Sequence, residues 1–145
     1  MPHLTLQISP GGPIVDVLVG VSHPRQQALQ RVSLQVPAAV QIRALVDTGA
    51  SGTCIDPAVL TRLGLQPTGF VQIHTPSTGN QPHLASQYDV GLILLHPMLT
   101  YTIGALPVIG SALAIQGIQA LIGRDVLANC LFIYDGRARI FTWAF

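Results

Sequence analysis

The chain contains no lysine and no glutamate, so its permanent charges are carried by arginine and aspartate alone. Charged residues make up 9% of the 145 residues, and the formal net charge is +1. Because phosphate backbones are bound by clustered basic side chains, this sparse charge excludes an electrostatic footprint for nucleic acid. Hydrophobic residues reach 49%, which excludes an intrinsically disordered chain and predicts a single folded domain over residues 1–145.

Cysteine is scarce as well, since the chain has only Cys54 and Cys130. Two cysteines are too few for a disulfide framework, and neither lies in the spacing of a metal-ligand motif. The five histidines are scattered singly along the chain. We therefore expect no metal ion and no cofactor.

The residues between Asp89 and Arg124 carry no charge, but turn-forming residues interrupt them too often for a membrane helix. A spanning helix needs about 20 mostly apolar residues, and Pro97, Gly104 and Pro107 interrupt this stretch. Short apolar runs bounded by turn residues are typical of buried strands. The first residues also lack the positive and apolar segments of a secretory signal. We expect no membrane partner and a cytoplasmic protein.

Fourteen glycines and eleven prolines divide the chain into short segments, which predicts an all-β fold with one or two short helices. Alternation of apolar and polar residues predicts strands at 4–8, 15–19, 32–36, 42–46, 70–75, 84–95, 100–103, 106–109, 113–115, 120–122, 131–134 and 139–143. The first two strands are expected to pair as an N-terminal hairpin within 1–29. A second hairpin is expected within 131–145, around the turn Asp135-Gly136.

The helix signals are local. Asp56 can cap a helix, Pro57 suits its first position, and Gly64 ends it, which predicts a helix from Pro57 to Leu63. A single helical turn is predicted at 125–129, and residues 23–27 are expected to form a polar connection.

Two segments carry candidate chemistry. A predicted strand ends in Asp47-Thr48-Gly49, and a second apolar strand about seventy-five residues later ends in Gly123-Arg124-Asp125. Together, and in this order, these motifs resemble the retropepsin-like aspartic proteases, over roughly residues 30–131. The capped helix that follows the first motif is more similar to the cellular and bacterial members than to the viral ones. The resemblance implies an acid-protease half-barrel that is active as a symmetric homodimer.

The resemblance also implies an aspartic endopeptidase that hydrolyses an extended peptide or protein substrate. Two carboxylates that share one proton can deprotonate water and protonate a carbonyl, because adjacent like charges do not both ionise. Asp47 is the only aspartate in the chain that is followed by Thr-Gly or Ser-Gly. A working site therefore requires Asp47 from two chains across a two-fold axis.

By the same resemblance, the neighbours of Asp47 take supporting roles. The residues that support the catalytic loop are Thr48, Gly49, Ala50 and Ser51. The residues of the flap, a hairpin that closes over the substrate, are His74, Thr75, Pro76, Ser77, Thr78 and Gly79. The residues of the substrate pocket are Cys54, Ile55, Leu121, Ile122 and Gly123. Arg124 and Asp125 are structural, and the partner of Arg124 is open among Asp16, Asp89 and Asp125.

The alternative interpretation is a module that keeps this fold and binds peptides or dimerises without hydrolysis, because a fold alone does not establish a function. A peptide-cleavage assay that is sensitive to pepstatin separates the two.

Overall fold

The computed structural model describes residues 1–75 and 79–145. These residues contain ten strands and three short α-helices. They are β1 (His3–Gln7), β2 (Ile14–Val21), α1 (His23–Arg31), β3 (Val40–Val46), β4 (Cys54–Ile55), α2 (Pro57–Arg62), β5 (Gly69–Ile73), β6 (His83–Leu94), β7 (Tyr101–Gly110), β8 (Ala120–Ile122), α3 (Arg124–Leu127), β9 (Leu131–Asp135) and β10 (Ile140–Ala144). The predicted all-β fold is confirmed. No helix in the described residues is long and apolar enough to cross a membrane.

Six of the described strands close into a barrel. They pair in the order β2–β3–β8–β4–β7–β6, and β6 pairs back onto β2, while β5 extends the sheet beyond β6. Closure satisfies the backbone groups that an open sheet would leave at its edges. Mostly β-branched and small side chains fill the interior, among them Val17, Val19, Ile42, Val90, Leu92, Ala120 and Ile122.

A second sheet, in the order β1–β10–β9, shares a hydrophobic core with the barrel. Its central strand carries Phe141 and Trp143, whose side chains are fully buried in the common core. The antiparallel pairing of β9 with β10 confirms the hairpin predicted within 131–145.

The hairpin predicted within 1–29 is wrong in its pairing. The turn forms, with hydrogen bonds of 2.9 and 3.0 Å between the backbones of Ser9 and Gly12, but β1 pairs with β10 and β2 pairs with β3 and β6. Gly12 has a φ of +110°, a conformation that side chains other than glycine rarely adopt, and here the chain passes from one sheet to the other. Leu4 and Leu6 of β1 lie opposite the two buried aromatic residues of β10, so the core of the second sheet holds β1 away from β2.

Residues 23–36 also differ from prediction. The polar connection at 23–27 is part of α1, which Ser22 caps by accepting a hydrogen bond from the backbone of Arg25. No side chain of α1 is buried, so the helix has no apolar periodicity to reveal it. The strand predicted at 32–36 does not form, and Val32 and Leu34 are exposed, because alternation without a pairing partner does not make a strand.

Two smaller differences concern residues 100–116. The strands predicted at 100–103 and 106–109 are one strand, β7, and a register shift opposite Val90–Leu92 accommodates an extra residue within it. The strand predicted at 113–115 is instead a 3₁₀ turn, Ala114–Gln116.

The predicted helix after Asp56 is present as α2, and Asp56 does more than cap it. Its Oδ1 accepts a hydrogen bond from the backbone N–H of Ala58 at 2.9 Å. Its Oδ2 accepts from Leu113 at 2.9 Å and from Ala114 at 3.0 Å. These backbone hydrogen bonds, the one from Leu113 foremost, lower the pKa of the Asp56 carboxyl below its ordinary value. A single buried carboxylate thus joins α2 to the segment that leads into β8.

Replacing Asp56 by alanine should lower the free energy of unfolding by about 2–4 kcal/mol at neutral pH, because a helix cap is lost and buried N–H groups lose their acceptor. The lowered pKa makes this stabilisation complete above the ordinary aspartate value of 3.8 and lost as the pH falls through the lowered value. Denaturant unfolding from pH 7 to pH 2 measures both effects. Asp16→Ala, at an exposed position on β2, is the control and should change stability by less than about 0.5 kcal/mol. An Asp56→Ala deficit that stays constant over this pH range would contradict the role of the charge.

Candidate active site

Asp47 lies immediately after β3, at the point where the barrel strand turns outward. Its backbone N–H donates to the carbonyl of Ile122 at 2.9 Å, which continues the pairing of β3 with β8 by one residue. The backbone N–H of Gly49 donates to Oδ1 of Asp47 at 2.8 Å and so orients the half-buried carboxylate. The Asp-Thr-Gly motif therefore forms a tight loop whose carboxylate has a defined direction.

The segment that contains Gly123 crosses the Asp47 loop at close range. A Cβ atom on Gly123 would lie 2.6 Å from the carbonyl carbon and oxygen of Gly52, a separation that side chains do not tolerate. The backbone N–H of Arg124 donates to the carbonyl of Ala50 at 3.0 Å, and that of Gly123 donates to Oγ1 of Thr53 at 3.2 Å. The two motifs of the sequence thus contact each other directly at Gly123, and its predicted role in the substrate pocket stays a prediction.

Arg124 binds the Asp47 loop through its side chain as well. Nη1 donates to the carbonyl of Thr48 at 2.9 Å and to that of Gly49 at 3.3 Å. The partners proposed from the sequence, Asp16, Asp89 and Asp125, do not take this role. A guanidinium carries several donors in a fixed plane, which suits two adjacent carbonyl groups such as those of this loop.

Asp125 instead binds Thr53, a residue that the sequence did not single out. Its Oδ2 accepts from the backbone N–H of Thr53 at 2.9 Å, and its Oδ1 accepts from the Thr53 hydroxyl at 2.8 Å. The same hydroxyl accepts the hydrogen bond from Gly123, so Thr53 links both strands of the crossing. Thr53 is fully buried, and no local pattern marks it because its partners lie about seventy residues away.

The predicted pocket residues divide according to strand alternation. Ile55 and Ile122 are fully buried in the barrel core, so their assignment as pocket walls is wrong. Cys54 and Leu121 are half-buried and lie opposite each other in neighbouring strands, on the outer face. Side chains that follow one another along a strand point to opposite faces, and one residue of each pair faces the core.

Two further residues complete the row on that outer face. Leu45 on β3 pairs with Leu121, and Ile109 on β7 pairs with Cys54, so four half-buried side chains run across four strands. Burial, assisted by the carboxylates of Asp125 and Asp47, raises the pKa of the Cys54 thiol. A thiol with a raised pKa stays protonated and acts as a small hydrophobic side chain. The row, Leu45–Leu121–Cys54–Ile109, is an apolar surface close to Asp47.

The predicted flap corresponds to the hairpin of β5 and β6. His74 and Gly79 are exposed and Thr75 is half-buried, while Pro76, Ser77 and Thr78 lie outside the described residues. Gln87 of β6 pairs with Ile109 on one side and with Gly69 of β5 on the other, so the row of side chains runs on into one face of the hairpin. Farther along the hairpin, this face carries the apolar residues Val71, Ile73 and Ala85 together with His83.

A cleft of about 500 Å³ opens beside Asp47. Its lining residues come from the turn before β2, the end of β3, the Asp47 loop and β9. They are Gly11, Gly12, Pro13, Leu45, Val46, Asp47, Thr48, Phe132 and Tyr134. The carboxylate is therefore accessible from a cleft of ligand size that also borders the second sheet.

Comparison with known proteins agrees with this geometry. The family model described as "gag-polyprotein putative aspartyl protease" matches residues 32–129. Among solved structures, the fold is similar to that of a retropepsin-like aspartic protease from Rickettsia conorii, with a TM-score of 0.62 and 16% sequence identity. That match covers 99% of this chain and 90% of the other. No curated protein sequence matches significantly.

The crossing at Gly123 yields a direct test. Gly123→Ala should lower the free energy of unfolding by about 1–3 kcal/mol or more, because the new methyl group overlaps backbone atoms that cannot move aside cheaply. Gly69→Ala is the matched control, since a Cβ there meets nothing within 4 Å, and it should change stability by less than about 0.5 kcal/mol. Equal effects of the two substitutions in denaturant unfolding would show that the close approach is unimportant.

Proposed function

We propose that this chain, which belongs to the gag-polyprotein aspartyl protease family and has a retropepsin-like fold, is an aspartic endopeptidase that works as a homodimer. The observation that carries the proposal is the Asp47 carboxylate, held by Gly49 at the rim of an open cleft and backed by the crossing at Gly123. A half-buried carboxylate in such a cleft is the group that acid-base hydrolysis requires.

The remaining aspartates support the need for a second chain, because they are committed elsewhere. Asp56 and Asp125 each accept hydrogen bonds from backbone N–H groups. Asp135 accepts from the backbone of the terminal turn, Asp16 accepts from the side chain of Gln41, and Asp89 lines a different cleft. The second carboxylate of a catalytic pair therefore comes from Asp47 of another copy.

In this pair, one carboxylate is ionised and the other is protonated. The ionised carboxylate takes a proton from water as the water oxygen attacks the scissile carbonyl carbon. The protonated carboxylate gives its proton to the carbonyl oxygen, and a tetrahedral diol forms. As the C–N bond breaks, the carboxylic acid that took up the proton from water donates it to the leaving amine nitrogen. A hydroxyl of the diol gives its proton to the other, ionised carboxylate as the new carbonyl forms, which restores the pair with one proton.

The apolar row suggests how a peptide would lie. An extended peptide can pair with β5, which is at the end of the strand order in the hairpin, so that backbone hydrogen bonds give affinity and alternate side chains meet pockets. Leu45, Leu121, Cys54 and Ile109 provide apolar walls on one side, and the hairpin of β5 and β6 would close from the other. We expect selectivity for apolar side chains next to the cleaved bond.

Asp47→Asn keeps the shape of the side chain and removes its ionisable group, so peptide cleavage should be lost while the fold remains. The measurement is cleavage of a peptide library, with circular dichroism as the check on folding. Asp16→Asn makes the same chemical change at an exposed position and should retain full activity. Retention of more than about one-hundredth of wild-type activity by Asp47→Asn would exclude the paired-carboxylate mechanism, since acid-base catalysis contributes about 10²–10⁴-fold.

A further inference from the structure

A second cleft, of about 340 Å³, lies outside the candidate active site. Its lining residues come from the start of α1, the segment between α2 and β5, and strand β6. They include Ser22, Arg25, Leu65, Pro67, Thr68 and Asp89. The lining of this cleft and that of the cleft beside Asp47 have no residue in common, so a ligand here would leave the candidate active site open.

The cleft forms where strand β6 changes its partner. On one side, β6 pairs with β7 from Gln87 to Leu94. On the other side, its pairing with β5 ends at Gln87 and its pairing with β2 begins at Val90. Neither β5 nor β2 therefore covers Tyr88 and Asp89, and the Asp89 side chain lines the cleft at this interruption.

The cleft contains an aspartate and an arginine that are not paired with each other. Asp89 is half-buried, and Arg25 is exposed in the first turn of α1. Within the described ranges 1–75 and 79–145, neither side chain has a hydrogen bond or an ion pair. A half-buried carboxylate without a partner carries a desolvation cost, which a cationic group of a ligand would offset.

These two charges restrict the chemistry of a ligand. A purely anionic ligand would be repelled by Asp89, and a purely cationic ligand would be repelled by Arg25. A divalent cation prefers several oxygen ligands, whereas this cleft offers one carboxylate next to a guanidinium. The complementary ligand therefore carries both charges, an ammonium group for the aspartate and a carboxylate for the arginine.

The remaining lining sets the size and polarity of the ligand. Leu65 and Pro67 add apolar surface, and the hydroxyl of Thr68 is already engaged, because it donates to the carbonyl of Gln87 at 3.3 Å. A volume of about 340 Å³ is near the lower end of the range for ligand sites, about 300–1,000 Å³. A free amino acid or a dipeptide with an apolar side chain fits this volume better than a longer peptide.

We propose that this cleft binds a small zwitterion, an α-amino acid or a dipeptide with free ends and an apolar side chain. Its ammonium group pairs with Asp89, its carboxylate pairs with Arg25, and its side chain contacts Leu65 and Pro67. The proposal does not depend on the proposed function, because the cleft shares no lining residue with that of Asp47. Since exposed ion pairs are screened by solvent, we expect weak binding, with a Kd of about 1–10 mM.

Nuclear magnetic resonance titration of the isotope-labelled protein measures such binding residue by residue. Glycyl-leucine and free leucine are the probes, and their relative affinities distinguish a dipeptide site from an amino-acid site. Saturable shifts of the amide signals of Ser22, Arg25, Leu65 and Asp89 with either probe would support the proposal. N-acetyl-glycyl-leucine lacks the ammonium group and glycyl-leucine amide lacks the carboxylate, so each should bind about fivefold more weakly than the free dipeptide.

Two variants assign the ends of the ligand. Asp89→Asn should abolish the difference in affinity between the free and the N-acetylated dipeptide, and Arg25→Gln should abolish the difference between the free dipeptide and its amide. Arg31→Gln is the matched control, because Arg31 is exposed on the same helix outside the cleft, and it should keep both differences.

Circular dichroism checks the folding of each variant, and the capped dipeptides on the wild-type protein decide the question should a variant not fold. The absence of saturable shifts in the cleft, or shifts centred on the Asp47 loop instead, would overturn the proposal. Equal affinities of the wild-type protein for the free and capped dipeptides, or differences that survive both substitutions, would overturn it as well.

Discussion

The close crossing of two loops determines the geometry of the candidate active site. The backbone of Gly123 approaches that of Gly52 so closely that no side chain fits between them, and Arg124 binds the carbonyls of Thr48 and Gly49 from the same segment. Hydrogen bonds from Thr53 to Asp125 and from Gly123 to Thr53 also join the two segments at the crossing. The Asp47 loop is thereby held through its main chain, while its carboxylate remains available to the cleft.

In this arrangement the site holds one carboxylate rigidly, whereas the proposed mechanism requires two. The barrel and the crossing orient one carboxylate well, but three of the other aspartates, Asp56, Asp125 and Asp135, serve a helix cap, the crossing and a turn. Hydrolysis by paired carboxylates needs a second group at close range, because a single carboxyl cannot hold and release the proton at once.

Much of this could be predicted from local signals, and the failures have a common cause. The Asp56-Pro57 helix start and the Asp135-Gly136 turn form as predicted because their own side chains and neighbours decide them. The resemblance to retropepsin-like proteases also depends on short motifs, and the match to the aspartyl protease family confirms it. The N-terminal hairpin and the partner of Arg124 were wrong because distant residues decide them, β10 in one case and the loop carbonyls in the other. Helix α1 was missed because it buries no side chain, and Ile55 and Ile122 were misassigned because their face is set by strand register.

The central claim, that the active site is shared between two copies of Asp47, can be tested most directly by mixing chains. Wild type and Asp47→Asn would be unfolded together, refolded at varying ratios and assayed at constant total concentration. If each active site needs both carboxylates, activity falls with the square of the wild-type fraction, so an equal mixture keeps about one quarter of it. A linear decline, with about one half retained in the equal mixture, would show that each chain carries a complete site and would contradict the account.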